Sequence, residues 1–283
     1  MILLDGKKLA TEIKENLKIE VEQLKAAGIF PKLVVIEVGN NFASLKYIGN
    51  KKKACEYVGI DLEVMEFDYN TSEQELVERI KNLNADKTVH GILVQMPLPE
   101  HIDKDKIINI IVPNKDVDGF NIQNVGSLSV YGNGFIPCTP YGIIELLDKY
   151  QINVCGKHCV VVGASNIVGK PISMLLLKNN ATVTICHSKT KDLAEFTKQA
   201  DVLVIAIGNP NFITADMIKA GVVIIDVGIN RGEDNQICGD VDFEDCKSKA
   251  SHITPVPGGV GVMTVAMLMK NCVKAAKCGL KGE

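Results

Sequence analysis

The chain of 283 residues has no tryptophan, little imbalance of charge and no long apolar segment. Its formal net charge is −3, so it has no cation excess for binding nucleic acid through bulk electrostatics. No apolar run approaches the ~18 residues that a membrane span needs. Only Ile2–Leu4 precede Asp5, which is too short for the core of a signal peptide. We therefore expect a cytoplasmic protein without nucleic-acid or membrane partners.

The sequence also lacks the even, regularly spaced set of cysteines that a disulfide framework would have. The nine cysteines are an odd number scattered through apolar segments, which is typical of reduced thiols and not of a disulfide framework. Cys155 and Cys159 flank His158, but no second cluster completes a tetrahedral site, so we expect no metal. Hydrophobic residues make up 46% and charged residues 23%, which indicates a globular protein of one large or two ordinary domains.

What is present is a strand, a glycine turn, a helix and a second strand in the middle of the chain. Cys159–Val162 is a short β-branched run that ends at Gly163, which predicts a buried strand. The turn from Gly163 to Gly169 opens a helix, and Thr182–Cys186 predicts a second buried strand. This order over about 30 residues predicts a βαβ unit of the dinucleotide-binding type.

The turn suits a phosphate. Gly163 has no Cβ to block the approach, Ser165 adds a hydroxyl donor, and the helix N-terminus offers free N–H groups. The spacing Gly-x-Ser-x-x-x-Gly differs from G-x-G-x-x-G, so an ordinary strand-to-helix turn remains an alternative. The second strand runs into His187–Lys191 with no acid before Asp192. These cations and hydroxyls favour NADP over NAD, although a solvated basic loop would look the same.

An informative lysine lies in the first half of the chain. A helix is predicted from Asn40-Asn41 to Gly59, and on its helical wheel Lys51 falls within about 40° of Tyr47. The other residues of this inward stripe are Ala43, Ala54 and Val58. A lysine in an apolar stripe either snorkels outward or performs chemistry with a lowered pKa.

Polar residues follow the predicted strands of this half, which are Lys32–Val38, Leu62–Phe67 and Val89–Val94. Gln95 ends the last of them, where ligands bind in α/β proteins, although it could equally bond a loop. Asp116 and Asp118 precede Gly119. They predict either a turn with Asx bonding or a carboxylate that accepts paired N–H donors from a ligand such as an aminopyrimidinone.

The second half begins with Thr139, a predicted helix N-cap followed by proline. Two further buried strands, Asp201–Ala206 and Val222–Val227, each end in glycine and predict more loops at the same edge of a sheet. The run Pro255–Gly261 forces an irregular backbone with exposed N–H groups. It is interpreted as a loop that shapes a site, with a rigid connector as the alternative.

Together these motifs resemble, over nearly the whole chain, the bifunctional methylenetetrahydrofolate dehydrogenase/methenyltetrahydrofolate cyclohydrolase family. The segments that carry the resemblance are Val38–Lys51, Val94–Pro99, Asp116–Phe120, Pro137–Pro140, Cys186–Thr190, Asp226–Asn230, Gly239–Phe243 and Pro255–Gly261. The resemblance implies two α/β domains flanking a cleft, the second a Rossmann-type NAD(P)-binding domain. The expected domains are residues 1–136 for folate binding and catalysis, with the last helix (263–283) packing back on them, and residues 137–262 for NADP binding.

The resemblance also implies roles for individual residues. Lys51 would be the acid/base, Tyr47 would stack on the folate, and Gln95 would position the lysine, and these three residues would form the catalytic group. Asp118 would bind the pterin ring, and the other expected substrate contacts are Pro257 and Gly258. The cofactor would be held by Gly163, Ala164, Ser165, Ser188 and Ile229.

The implied activity is oxidation of 5,10-methylenetetrahydrofolate by NADP⁺ to the methenyl form, then hydrolysis to 10-formyltetrahydrofolate in one shared site. Tetrahydrofolate derivatives would be the partners, and the chain would form a homodimer through its cofactor domains. The family often has Arg at the position of Ala164, so we expect weaker binding of NADP or use of both cofactors. It also often has Pro at the position of Val262, where we expect a looser loop without loss of activity. A shikimate-dehydrogenase-like NADP oxidoreductase and a non-catalytic nucleotide sensor are the alternatives.

Overall fold

The computed structural model describes residues 1–39, 42–232 and 236–278, with the side chains of 42–46 left out. The chain divides into two compact units. The six-stranded unit consists of Met1–Ala10 and Thr139–Thr264. The three-stranded unit consists of Thr11–Cys138 and Val265–Glu283. Each unit is therefore assembled from two separate stretches of sequence.

The elements follow one another as alternating strands and helices for most of the chain. The strands are β1 (Ile2–Leu3), β2 (Lys32–Val38), β3 (Asp61–Phe67), β4 (Gly91–Val94), β5 (His158–Val162), β6 (Thr182–Cys186), β7 (Val202–Ile205), β8 (Val223–Asp226), β9 (Asn230–Arg231), β10 (Ile237–Cys238) and β11 (His252–Ile253). The helices are α1 (Gly6–Ala26), α2 (Phe42–Val58), α3 (Glu73–Ala85), α4 (Lys104–Ile110), α5 (Ile122–Ser129), α6 (Cys138–Lys149), α7 (Gly169–Lys178), α8 (Leu193–Thr197), α9 (Phe243–Cys246) and α10 (Val260–Cys278).

The three-stranded unit is built on a parallel sheet in the order β3-β2-β4. All of β2 except Lys32 is buried, as expected for a central strand that is covered on both faces. One face packs against α3 and α4 through a cluster of aliphatic side chains, which includes Val34, Ile36, Val38, Leu76, Ile80, Ile92 and Ile107. The predicted strands of this half are thus confirmed, and their carboxyl ends lie on one edge of the sheet.

Helix α10 is part of this unit although it comes last in the chain. The Asn271 side-chain amide donates to the carbonyl of Val117 at 2.8 Å and to that of Ile136 at 3.0 Å. The sulfurs of Cys55 and Met269 lie 3.5 Å apart. The two hydrogen bonds from the Asn271 amide fix the backbone next to Asp118 and just before α6, because they satisfy two carbonyls that would otherwise be left without a partner.

The six-stranded unit contains a parallel sheet in the order β1-β11-β8-β7-β5-β6. The predicted βαβ unit is confirmed: β5 and β6 pair in parallel, with Val160 opposite Thr184, and α7 connects them. The chain runs from β5 to β6 on one side and then crosses to β7 on the other, so β5 lies at the topological switch point. Ligands of such folds bind outside the carboxyl end of the strand at this point.

The prediction that Thr182–Cys186 is a buried strand is wrong in its burial. Strand β6 is the last in the sheet order, Thr182 is exposed, and Ile185 keeps 38% of its surface accessible. A β-branched run therefore identified the strand but not its place at the edge, because strand order depends on contacts that local sequence does not encode.

Two helices begin in different ways. Ser72 caps α3, since its Oγ accepts the backbone N–H of Glu75 at 3.2 Å. The prediction for Thr139 is wrong, because α6 already begins at Cys138. The hydroxyl of Thr139 lies 2.8 Å from that of Thr264 instead. In the residues that the structure covers, no helix combines the length and apolar character that crossing a bilayer requires.

Candidate active site and cofactor turn

Lys51 lies on the inward side of α2, as the helical wheel predicts. It is half-buried, with the buried residues Ala54, Cys55 and Val58 on the turns that follow, whereas its neighbours Lys52 and Lys53 are exposed. Tyr47, one turn earlier, leaves 47% of its surface accessible. The predicted helix start at Asn40-Asn41 and the side chain of Ala43 lie outside the described residues.

The Lys51 amine has one defined hydrogen-bond partner. Its Nζ donates to Gln95 Oε1 at 2.8 Å, and Gln95 Nε2 donates to the carbonyl of Met96 at 2.9 Å. The second bond fixes which end of the amide faces the lysine. Burial lowers the pKa of Lys51, and electrostatic interactions with its neighbours, of which the carboxylate of Asp118 contributes most, act in the opposite direction. A lysine that loses its proton more readily than usual can act as a base.

Asp118 is the carboxylate that faces this lysine. Burial raises its pKa to about 6, and the positive charge of Lys51 is the first of the effects that oppose the rise. A hydrogen bond from the Cys138 thiol also favours the ionised form. Asp118 therefore has a lysine and a thiol beside it. Its carboxylate can still accept N–H donors from a ligand.

Asp116, two residues earlier, forms the turn. Its Oδ1 accepts the N–H of Gly119 at 3.1 Å, and its Oδ2 accepts the N–H of Asn121 at 2.7 Å and the side-chain amide of Asn124 at 2.8 Å. Each of the two interpretations of this acidic pair therefore applies to one of its residues. Asp116 is the Asx-bonded structural residue, and Asp118 is the one that remains available.

Sequence reasoning missed two residues beside this group. Cys138 is buried, its Sγ donates to the carbonyl of Val117 at 3.4 Å, and burial raises the pKa of its thiol well above the usual range. It is thus a neutral thiol and not a thiolate. No local signal predicts this contact, since Cys138 and Val117 are far apart in sequence.

The second missed residue is Glu37, in the middle of the three-stranded sheet. Only 3% of its surface is exposed, and neither carboxylate oxygen has a hydrogen-bond partner in the described part of the chain. Burial raises its pKa; the carboxylate of Glu66 raises it further, while Lys51 lowers it. A signal was available here, because a glutamate inside the apolar run of β2 is unusual.

The glycine turn after β5 is as tight as its sequence suggests. Gly163 has φ = +127°, and a Cβ there would lie 2.4 Å from the carbonyl oxygen of Ala206. A Cβ on Gly169 would lie 2.0 Å from the carbonyl oxygen of Gly163. Ser165 Oγ accepts the N–H groups of Val168 at 3.2 Å and Gly169 at 3.3 Å, so its own proton is free to donate.

The residues around this turn fit a dinucleotide. The backbone N–H groups of residues 164–167 have no acceptor within the described residues, and Ser165 is exposed. Ser188, Lys189 and Lys191 are exposed after β6, and Ile229 leaves 51% of its surface accessible after β8. Free N–H groups beside a glycine suit a pyrophosphate, and hydroxyls with cations suit a further phosphate.

The remaining predicted site residues also lie in the six-stranded unit. Pro257 is exposed and follows a cis peptide bond, and Gly258 has φ = +110° with its carbonyl accepting the N–H of Lys7 at 3.0 Å. The structure therefore brings Lys51, Gln95 and Asp118 together in one unit and places Pro257 and Gly258 in the other. No group of three His, Cys, Asp or Glu residues in the described ranges could hold a metal ion.

Comparisons with family models, related sequences and solved structures all identify the same family. Residues 4–118 match the family described as tetrahydrofolate dehydrogenase/cyclohydrolase, catalytic domain, and residues 137–279 match its NAD(P)-binding domain. The "Bifunctional protein FolD" of Agathobacter rectalis is 59% identical, over 97% of this chain and 99% of that protein. The crystal structure of the bifunctional FolD dehydrogenase/cyclohydrolase from Campylobacter jejuni has a TM-score of 0.97 and 53% identity, covering 98% of this chain and 99% of that one. The Trypanosoma brucei enzyme, complexed with NADP cofactor and inhibitor, has a TM-score of 0.94 and 35% identity, covering 99% of both chains.

Proposed function

Because the chain belongs to the tetrahydrofolate dehydrogenase/cyclohydrolase family, we propose that Lys51 is its proton-transfer residue and that Gln95 positions it. The chain is a bifunctional enzyme of one-carbon metabolism. It oxidises 5,10-methylenetetrahydrofolate to the methenyl form with a nicotinamide cofactor and hydrolyses that product to 10-formyltetrahydrofolate. Family membership sets aside the shikimate-dehydrogenase-like and sensor alternatives.

The observation that carries this assignment is the bond between Lys51 Nζ and Gln95 Oε1, at 2.8 Å on a half-buried lysine. In the hydrolysis, water attacks the electrophilic methenyl carbon and loses a proton, which the neutral form of Lys51 accepts. The protonated lysine then gives that proton to the ring nitrogen as the carbon–nitrogen bond breaks, and the added hydroxyl releases its remaining proton to solvent as it becomes the formyl carbonyl. The lowered pKa of Lys51 favours the neutral form that the first step needs.

Asp118 and Tyr47 are proposed to bind the folate. A carboxylate whose pKa is about 6 is mostly ionised at neutral pH, so Asp118 can accept the paired N–H donors of the pterin ring. The exposed ring of Tyr47 lies on the same helix one turn from Lys51, where a flat ring could stack on it. Pro257 and Gly258 are proposed as further substrate contacts from the other unit.

NADP is proposed as the preferred cofactor. The turn Gly163–Ser165 would hold the pyrophosphate with its free N–H groups, and Ile229 would lie beside the nicotinamide. Ser188 would bind the 2′-phosphate, since the residues that follow β6 include exposed hydroxyls and lysines and no acid before Asp192. When bound, the nicotinamide ring supplies the hydride acceptor for the oxidation. The protein aligns the substrate carbon with it.

The remaining proposals concern organisation and location. The three-stranded unit would be the folate-binding and catalytic domain, with α10 packed on it, and the six-stranded unit the NADP-binding domain. Strand β6 is the edge strand of the six-stranded sheet and exposes Ile185, so it offers a surface that can pair with a second copy of the chain. This edge supports a homodimer through the six-stranded unit. The nine free thiols support a reducing compartment such as the cytoplasm.

The proposed function is tested by two assays on the purified protein. We expect oxidation of methylenetetrahydrofolate with NADP⁺ at a higher kcat/KM than with NAD⁺, and hydrolysis of added methenyltetrahydrofolate without cofactor. Binding of NADP⁺ with neither turnover would contradict the assignment. Equal rates with NAD⁺ and NADP⁺ would contradict the cofactor preference alone.

Ala164→Arg is expected to increase the preference for NADP⁺ over NAD⁺ by about tenfold, because one added charge-assisted hydrogen bond to a phosphate contributes roughly 1.5 kcal/mol. Ala164 is half-buried in the phosphate turn, where a longer side chain could reach a 2′-phosphate. The measurement is the ratio of kcat/KM for the two cofactors. Ala164→Gln, with similar length and no charge, is the matched control, and an unchanged ratio in the arginine variant would contradict the proposed position of the phosphate.

A further inference from the structure

Two buried carboxylates occupy the carboxyl edge of the six-stranded sheet. Asp240 is fully buried, and 3% of Asp226 is exposed. Asp240 Oδ2 accepts the N–H groups of Ile207 at 2.7 Å and Gly208 at 3.1 Å. Its Oδ1 accepts the N–H of Asn209 at 2.9 Å and the side-chain amide of Asn230 at 2.8 Å. One side chain thus connects the loop after β7 with the loop after β8, and these contacts are called the Asp240 clamp below.

Asp226, at the end of β8, holds the clamp in place. Its Oδ1 accepts the N–H of Gly228 and that of Asp240, both at 2.9 Å, and its Oδ2 accepts the N–H of Val241 at 3.0 Å. The packing leaves no room for side chains on the adjoining glycines. A Cβ on Gly239 would lie 1.8 Å from Asp226 Oδ2. Asp240 therefore has one orientation, because both its backbone and its carboxylate are fixed.

The Asp240 clamp determines which groups of the two loops face the outside of the protein. The N–H groups of the loop after β7 and the Asn230 side-chain amide point into the protein at Asp240. Two apolar side chains remain on the outside, Ile207 with 37% and Ile229 with 51% of the surface exposed. Ile207 follows β7, which neighbours β5 at the switch point where the fold binds ligands, and Ile229 follows β8, the next strand of the sheet. Gly208, the residue after Ile207, has φ = +68° and is held there by its bond to Oδ2.

We infer that Asp240 is a positioning residue for the dehydrogenase reaction, holding the loops of Ile207 and Ile229 where the nicotinamide cofactor binds. The inference rests on the proposed cofactor site. It deepens that proposal by naming a residue that touches neither substrate nor cofactor. Methenyltetrahydrofolate hydrolysis uses no cofactor, so the clamp affects one of the two activities and not the other.

Asp240→Asn tests this, because the amide is nearly isosteric but turns an NH₂ group toward backbone donors. We expect the Kd of NADP⁺, measured by isothermal titration, to rise by at least about tenfold, since small misplacements of a binding group are costly. The KM for NADP⁺ should rise with it. The KM for methylenetetrahydrofolate and the cofactor-free hydrolysis of methenyltetrahydrofolate should stay within about twofold of wild type.

Two other variants keep the test decisive. Asn230→Ala removes only the link between the two loops and should raise the Kd of NADP⁺ by a smaller factor. This variant tests the positioning role of Asp240 if Asp240→Asn does not fold. Asp201→Asn is the matched control: this carboxylate lies at the opposite end of β7, where it accepts the N–H of His158 at 2.9 Å. Its NADP⁺ affinity should be unchanged.

Normal NADP⁺ affinity in a folded Asp240→Asn protein, or in Asn230→Ala when the first does not fold, would overturn the inference while the proposed cofactor site stands. Hydrolysis that falls in parallel with oxidation would also overturn it, since the role would then be general stability. A wild-type protein that binds no NADP⁺ would overturn both the inference and the proposed cofactor site.

Discussion

Lys51→Met is expected to lower the cyclohydrolase kcat by about 100- to 10,000-fold, the range that a positioned general base contributes. Methionine keeps most of the length and apolar body of lysine, so the half-buried site on α2 stays filled. What is lost is the amine that Gln95 holds at 2.8 Å. The measurement is the steady-state hydrolysis of methenyltetrahydrofolate, with folate affinity measured separately.

Lys52→Met is the matched control for this prediction. It makes the same substitution one position along the helix, on an exposed side chain, and should leave kcat unchanged. Lys51→Arg separates charge from proton transfer, because arginine keeps the positive charge and does not lose its proton at working pH. If the arginine variant hydrolyses its substrate at the wild-type rate, Lys51 acts only as a cation and the proposed base is another group.

The same proposal sets the direction of the pH dependence. Burial lowers the pKa of Lys51 from its ordinary value of 10.5, so the rate of hydrolysis should rise with pH toward a midpoint below 10.5. Asp118, with a pKa of about 6, should lose its proton first and affect KM at the acid side. A pH profile that is flat across this range would argue against a titrating lysine.

Glu37→Leu is expected to stabilise the protein by about 1–3 kcal/mol, the usual cost of a buried polar group without a hydrogen bond. Both carboxylate oxygens of Glu37 are buried without a partner in the described residues, and its neighbours in β2 are aliphatic. Leucine has a similar volume and suits a buried strand. The measurement is the free energy of unfolding from urea titration, with and without folate ligand.

The gain should depend on pH in a defined direction. The folded-state pKa of Glu37 is raised above its ordinary value of 4.5, so its charged form is disfavoured in the folded protein. Below 4.5 the group is protonated in both states and contributes no penalty. The penalty grows as pH rises from 4.5 to the folded pKa and is constant above it. The stabilisation by leucine should therefore be largest at neutral pH and should diminish in acid.

Glu66→Gln is the control. Glu66 lies directly opposite Glu37 on the neighbouring strand but is exposed, so we expect a change within about 0.5 kcal/mol. Glu37→Gln separates charge from polarity, because it removes the ionisation and keeps a buried polar group that needs partners. A leucine variant that is less stable than wild type at neutral pH would mean that the carboxylate has a stabilising role in the folded protein.

The sequence predicts much of this architecture because its strands and turns have local signatures. The βαβ unit around Gly163 and the inward face of Lys51 follow from periodicity and glycine spacing. The edge position of β6 does not, since it depends on which strands pair. The bond between the Cys138 thiol and the carbonyl of Val117 is also hidden, because it joins positions that only the folded backbone brings together. Glu37 was visible in the sequence, but a single acid in a strand does not reveal whether it finds a partner.

The discontinuous composition of the two units bears on how the protein is made. Strands β2, β3 and β4 are all translated by Val94, yet the Asn271 amide that holds Val117 and Ile136 is translated 154 residues after Val117. Likewise, β1 is translated about 250 residues before its partner β11. The strands of the three-stranded sheet can therefore pair early, but the packing of that unit waits for α10, and the six-stranded sheet waits for β11. We expect the nascent chain to stay sensitive to protease until α10 emerges, and ribosome-bound chains stalled before α10 should show this directly.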